Sequence, residues 1–263
     1  MKLGISTASL FGKLSTEDAL RFFKENKVET AEVFLQSFSE YNKKFAKKLI
    51  KKVGKTDIHS IHVLTTQLEP TLYSLNKVAQ KDSFEILEGV LKAGKALNAT
   101  HYTFHGGALF KKTPTVLNFQ RIGEITERII SRCNEYGITL TYENVHWGYY
   151  NYAGFFKELS SRCKGLKATL DIKQARQSGI AVKDYVLDMG ENIETVHLSD
   201  INESGKMCLP GKGVTNFEEL FKMLKDVNFN GAMLIEAYGG DYGDKKELLD
   251  SLEFIKEKAY KIF

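Results

Sequence analysis

Short apolar runs rich in β-branched residues recur along the chain, and between them the apolar residues shift to a helical period. The runs are Lys2–Ser6, Thr30–Leu35, Ile58–Val63, Thr100–Phe104, Ile138–Tyr142, Leu166–Leu170, Ile193–Leu198 and Ala232–Ile235. Each has strand length and is apolar nearly throughout, as expected of strands covered on both faces. The intervening stretches carry helix starts. Ser15-Thr16-Glu17-Asp18 precedes Ala19, Leu20, Phe22 and Phe23, an N-cap residue with early acids. Ser83–Leu97 repeats apolar residues at Phe84, Leu87, Val90 and Leu91, which is one helical face. Thr215-Asn216-Phe217-Glu218-Glu219 opens another helix, and Asp244 opens a last one that runs to about Tyr260.

Strands alternating with helices predict a parallel sheet, because parallel neighbours need a crossover and a helix is the usual one. Eight such units without a linker rich in Pro, Gly or Ser predict a single-domain (β/α)8 TIM barrel spanning residues 1–263, an α/β architecture of about 250 residues. An open doubly wound sheet is the weaker alternative, since no glycine-rich phosphate loop follows the first strand. Gly106-Gly107 and Gly239-Gly240 read as turns.

The informative polar residues stand at the C-terminal ends of the runs. His62, His105, Glu143, Asp171, His197 and Glu236 close six consecutive strands. They fall about one per barrel unit of roughly 30 residues, which brings them to one rim. Taken singly, such a His is more often a satisfied core or surface residue, and such an acid a cap or loop charge. Together they point to a cation, because clustered carboxylates repel one another and are costly to desolvate. A divalent ion removes both objections, and neutral imidazoles complete its shell. The mixed N/O set suits Zn or Mn, with Co, Fe or Mg also admitted, better than Ca.

Other positions leave alternatives open. Glu32 lies inside the apolar run Ala31-Glu32-Val33-Phe34, as a buried structural pairing or as part of the site. Trp147, Tyr149, Tyr150 and Tyr152 crowd the loop after Glu143, to stack on a ligand or to form an ordinary loop cluster. Lys212 in Pro210-Gly211-Lys212-Gly213 is an anion contact or a solvated lysine.

Composition excludes some classes without choosing a function. The chain is 43% hydrophobic and 27% charged, so it has enough apolar surface to fold. No apolar run is long enough to span a membrane. The net charge of +4 is dispersed, which disfavours nucleic acid as a partner. Lys43, Lys44, Lys47, Lys48, Lys51, Lys52 and Lys55 have helical spacing around Phe45, Leu49 and Val53 and read as a solvated helix face. Cys133, Cys163 and Cys208 form no CxxC pair and argue against a disulfide framework or a zinc knot, leaving Cys208 as an ordinary loop thiol. The start MKLGISTASL lacks a longer apolar segment, so the expected location is cytoplasmic.

With these strand ends in hand, the chain resembles the xylose isomerase-like superfamily, which holds sugar isomerases and epimerases and the endonuclease IV type of apurinic endonuclease (AP endonuclease family 2). The resemblance covers essentially the whole chain. It rests on Ser60-Ile61-His62, Phe104-His105-Gly106-Gly107, Thr141-Tyr142-Glu143-Asn144, Thr169-Leu170-Asp171, Val196-His197-Leu198-Ser199-Asp200, Pro210-Gly211-Lys212-Gly213 and Leu234-Ile235-Glu236.

The resemblance implies that Glu143, Asp171, His197 and Glu236 form the shared metal quartet. It implies that His62 and His105 match the endonuclease branch's histidines for a further zinc, bridged by Glu143, although isomerase-like members hold histidines there too. Two departures stand out. Gln174 replaces the His common three residues after the strand-6 Asp. Gly205-Lys206-Met207-Cys208 replaces the Asp-x-His zinc pair of the endonucleases, and Lys206 and Lys212 stand on a loop where isomerases often carry Arg.

The implied activity is a metal-dependent isomerase or epimerase of a sugar, polyol or sugar phosphate. Glu143 and Glu236 would transfer the proton next to a carbonyl, and Gln174, Lys212 and Trp147 would contact the substrate. The alternatives are a zinc-dependent phosphodiester hydrolase of the apurinic-endonuclease type and a related sugar lyase or dehydratase. A homo-oligomer is compatible with either.

Overall fold

The computed structural model describes residues 1–64, 68–109 and 116–263. Seven parallel strands come first: β1 (Lys2–Ser6), β2 (Thr30–Leu35), β3 (Asp57–Val63), β4 (His101–Phe104), β5 (Thr139–Glu143), β6 (Lys167–Asp171) and β7 (Ile193–Leu198). A two-residue antiparallel pair follows, β8 (Asp200–Ile201) with β9 (Met207–Cys208), and then β10 (Ala232–Ile235). β10 pairs in parallel with both β7 and β1, which closes β1–β7 and β10 into a barrel. The chain is therefore a (β/α)8 TIM barrel.

The outer helices are α1 (Thr16–Glu25), α2 (Lys43–Val53), α3 (Glu69–Leu72), α4 (Lys77–Ala96) and α5 (Phe119–Glu135), then α6 (Phe155–Ser160), α7 (Ile172–Gln177), α8 (Val182–Met189), α9 (Phe217–Asp226) and α10 (Glu247–Ala259). Side-chain oxygens cap many of them. Ser15, Asn42, Asn118 and Asn216 accept from the backbone N–H three residues on, which satisfies one orphan donor each. On α2 the lysines at 43, 44, 47, 48 and 51 face solvent while Ala46 and Leu49 are buried.

Two boundaries depart from the pattern. α4 begins at Lys77, upstream of Ser83, because Asn76 caps it there and its first polar turns show no apolar period. α10 begins at Glu247 rather than Asp244, whose N–H is instead tied to Glu247 Oε1 at 2.7 Å.

The core lies between barrel and helices, and part of it fixes the rim. Tyr150, in the β5–α6 loop, is fully buried against Phe155 at 5.0 Å between ring centroids and donates to Asp188 Oδ2 at 2.9 Å. Asp188 also accepts from Phe156 N and Lys157 N, so α8 anchors the start of α6 and the loop before it. No helix among the described residues is long and apolar enough to cross a membrane. Cys133 and Cys163 are buried thiols, Cys208 is half-buried, and all three are free.

Candidate metal centre at the barrel mouth

Glu143 and Asp171 are the last residues of β5 and β6, His62 lies one residue before the end of β3, and His197 one before the end of β7. His105 and Glu236 follow β4 and β10 directly. All six are buried and converge. His197 Nδ1 lies 2.8 Å from Glu236 Oε2, 3.2 Å from Glu143 Oε1 and 3.9 Å from Asp171 Oδ2. His105 Nε2 lies 3.0 Å from His62 Nε2 and 3.1 Å from Glu143 Oε2. Among the described residues three groupings, Glu143–Asp171–His197, His62–His105–Glu143 and Glu32–His62–Glu236, keep their candidate ligand atoms within 4.8 Å of one another.

Two further carboxylates orient the imidazoles. Glu32 is fully buried inside the barrel, where the β2–β3 register shifts. It accepts from Ser6 Oγ at 2.9 Å, Ser60 Oγ at 2.8 Å and Thr103 Oγ1 at 2.6 Å. It also lies 3.2 Å from both His62 Nδ1 and His197 Nε2. Glu32 is thus a buried structural pairing, the first of the readings the sequence left open, and it touches two histidines of the cluster. Glu69, in the single turn of α3, accepts from Tyr102 Oη at 2.7 Å and His105 N at 2.8 Å and pairs with His105 Nδ1 at 3.0 Å. An ionised carboxylate only accepts, so these partners take the imidazole N–H. A neutral His62 or His105 then presents a bare Nε2, and a neutral His197 a bare Nδ1, to the cluster, as metal ligands require.

The residues fit a cation by a further test. Glu143 Oε2, Asp171 Oδ2 and Glu236 Oε2 are buried and accept no hydrogen bond; the close histidine nitrogens miss hydrogen-bond geometry. Native structures rarely leave buried acceptors so, and three together are a donor set that could hold an ion.

Without one, protons supply the balance. Burial disfavours the His62 cation, but Glu32 outweighs burial and its pKa rises to about 9. His197 likewise rises well above the ordinary value, through Glu236 and Glu32 against burial. Burial pushes Glu236 up, yet His197 brings it down to about 2. Burial raises Asp171 to about 7, with Lys173 opposing.

Above the cluster lies a cavity of about 220 Å³ lined by Phe11, Phe34, His62, His105, Glu143, Trp147, Gln174, Glu236 and Tyr238, among others. Trp147 leans over His105 at 5.4 Å between centroids, and Phe34 meets His62 edge-on at 5.1 Å. The β5–α6 loop is held there by Tyr149 N donating to Gly107 O at 2.8 Å and Leu109 N to Trp147 O at 2.9 Å. Gly106, at φ +78°, and Gly107 admit the rings of Tyr142 and Tyr149, where any Cβ would collide. Asp171 caps α7, its Oδ1 accepting from Gln174 N at 2.9 Å, and the Gln174 side-chain Oε1 lies 2.6 Å from His146 Nδ1.

Lys212 does not reach this cavity. It is exposed beside Asn202, Glu203 and Ser204 on a separate shallow hollow. Asp200 organises its loop instead, accepting from Gly211 N, Gly213 N and Thr215 N at 3.0–3.1 Å. Glu69, Lys173 and His146 were not singled out in the sequence. Glu69 sits in a helix too short to show a period, and the other two look like solvated loop or helix charges.

Among curated proteins, the chain is 24% identical to the uncharacterized protein MJ1311 of Methanocaldococcus jannaschii, across 98% of this chain and 92% of that one. Among solved structures, a D-tagatose 3-epimerase-like protein superposes with a TM-score of 0.78 at 20% identity, covering 100% of this chain and 98% of its own. A D-psicose 3-epimerase from Clostridium cellulolyticum H10, solved with D-tagatose, gives 0.80 at 15% over 100% and 99%. The IOLI protein, solved with a bound zinc atom, gives 0.79 at 13% over 100% and 99%. The family described as xylose isomerase-like TIM barrel matches residues 20–258, and the chain belongs to that family.

Proposed function

We propose that the protein is a divalent-metal-dependent isomerase or epimerase of small sugars or polyols. The observation that carries this reading is the set of three buried carboxylate oxygens that accept no hydrogen bond, flanked by three oriented histidines, at the floor of a small aromatic-walled cavity. At about 220 Å³ the cavity falls below the range of about 300–1,000 Å³ usual for drug-sized ligands and suits a compact polar substrate. Likeness to ketohexose 3-epimerases favours epimerisation next to a keto group.

Glu143, Asp171, His197 and Glu236 would hold the ion, with Zn or Mn the best match to the donors. When bound, the ion supplies the positive charge that acidifies a C–H beside a carbonyl. The protein's own groups do the rest. Glu143 and Glu236 come from β5 and β10, which two strands separate around the wall, so one can take the proton and the other return it on the opposite face. Glu32 and Glu69 would hold the outer nitrogens of their histidines, which turns the inner nitrogens toward the ion. Trp147, Phe34, Phe11 and Tyr238 exclude water, and Gln174 offers an amide to a hydroxyl but relays no proton.

The test is a panel of ketohexoses, pentuloses and inososes with Mn²⁺, Co²⁺ or Zn²⁺ added. Epimer formation, reduced about 10²–10⁴-fold in Glu143→Gln and Glu236→Gln, is expected. Undiminished turnover in Glu143→Gln refutes the proton-transfer assignment.

The grouping His62–His105–Glu143 favours a second reading, a two-metal phosphodiester hydrolase. That reading requires two tightly held zinc ions and nicking of abasic DNA. The stretch from Gly205 to Cys208 offers no His or Asp for a third ion. A lyase or dehydratase would appear on the same sugar panel as loss of water or C–C cleavage.

A further inference from the structure

Among the described residues, Lys173 is the lone Lys or Arg in the buried class, at 0% exposure. It follows Asp171 by two positions, on the first turn of α7. Its Nζ lies 3.8 Å from Asp171 Oδ2, 4.0 Å from Glu236 Oε1 and 3.9 Å from the centroid of the Tyr238 ring, and it donates no hydrogen bond. An ammonium is costly to bury, so an apolar side chain would be the cheap occupant of this place. Two carboxylates and the electron-rich face of a ring offset that cost here. Glu236 and Tyr238 line the cavity, whereas Lys173 does not, so its charge acts on the carboxylates from behind.

We propose that Lys173 is a built-in counter-cation of the metal centre. Glu143, Asp171 and Glu236 together carry three negative charges when the imidazoles are neutral. With Lys173 the sum over these three ligands is two, the charge of one divalent ion, while Glu32 sits one layer deeper against the imidazoles. The ammonium therefore weakens the hold of Asp171 and Glu236 on the ion, and it leaves the bound ion more electron-poor toward whatever occupies the cavity. The positioning is electrostatic and acts through the two ligand carboxylates. It rests on the metal centre of the reading above, not on the reaction.

The test is a titration of metal-free protein with Co²⁺ and with Mn²⁺ at one fixed pH in well-buffered solution, because metal binding releases protons and wild type and variants must be compared under the same proton load. Calorimetry gives affinity, and the Co²⁺ absorption spectrum reports coordination without turnover. Lys173→Met and Lys173→Gln are each expected to bind at least tenfold more tightly than wild type, with the stoichiometry at the quartet unchanged. Equal or weaker binding by the folded variants overturns the proposal, as does no measurable binding by wild type and variants alike. Failure of both variants to fold in excess metal also counts against it, since the loaded centre is then unstable without the ammonium. Tighter binding without epimerase activity keeps the counter-cation and sinks the isomerase; epimerase activity with unchanged affinity does the reverse.

Discussion

Replacing Glu32 by Gln removes one charge and almost no volume from the middle of the barrel. The carboxylate accepts from three hydroxyls and serves two histidines. The hydroxyls can turn and accept from the new amide. The histidines cannot adapt so cheaply. A histidine nitrogen facing the Gln NH₂ must itself accept, which moves the imidazole proton to the inner nitrogen and closes it to a metal. Loss of such an outer-shell partner costs about 10–100-fold in metal affinity.

The metal-free protein carries a second signature. Glu32 is the main reason His62 rises from 6.5 to about 9 against burial, a displacement worth about 3 kcal/mol at most. Because the folded pKa is raised, that stabilisation is complete below 6.5 and lost as the pH climbs through about 9. Urea denaturation of metal-free wild type and Glu32→Gln reads it directly. The variant should lose up to about 3 kcal/mol at about pH 6 and far less at about pH 9.5. A pH-independent difference, or wild-type stability together with wild-type metal affinity, refutes the argument that Glu32 orients and charges these histidines.

Three further outcomes are expected. His59 is buried near the lower end of the barrel, stacked on His101 at 4.2 Å and bonded to Thr195 Oγ1 at 2.9 Å. Burial, with the His101 charge, lowers its pKa to about 3, so stability falls as pH drops from 6.5 toward 3, and His59→Gln should flatten acid unfolding in that window. Gly106→Ala combines a left-handed backbone with a collision against Tyr142 Oη and should cost about 3 kcal/mol or more in thermal unfolding, while Gly240→Ala, with open space around its Cβ, should be near neutral. Glu69→Gln should weaken any ion held by His62, His105 and Glu143 about 10–100-fold and spare the quartet, as metal analysis of dialysed protein would read.

The barrel was legible because each strand is a short apolar run, and because the mouth-facing chemistry sits where each run ends. β1, β2, β7 and β10 match their runs residue for residue, β3 starts one residue earlier and β4 one later, and β5 and β6 are each displaced by one residue, which includes Glu143 and Asp171 in the strands themselves. The supporting layer was less legible for physical reasons. Glu32 looks like an error in an apolar strand until its five partners, drawn from β1, β3, β4 and β7, are assembled. Glu69 sits in a four-residue helix that leaves no periodic trace. Lys173 follows an N-cap in a polar stretch, where a solvated lysine is the ordinary outcome, and only the packing of Tyr238 over it shows otherwise. Lys212 takes the solvated of its two alternatives, because the loop that carries it is folded around Asp200 and turns the lysine outward.

Solvent exchange at the carbon next to a keto group tests the central claim most directly. Metal-loaded protein is incubated with a ketohexose in heavy water and followed by NMR. Deuterium at the epimerised carbon, in product and in recovered substrate, dependent on the metal and strongly reduced in Glu143→Gln and Glu236→Gln, is the predicted result. Protein that binds its divalent ion at the quartet yet neither exchanges nor epimerises any sugar of the panel would contradict the account.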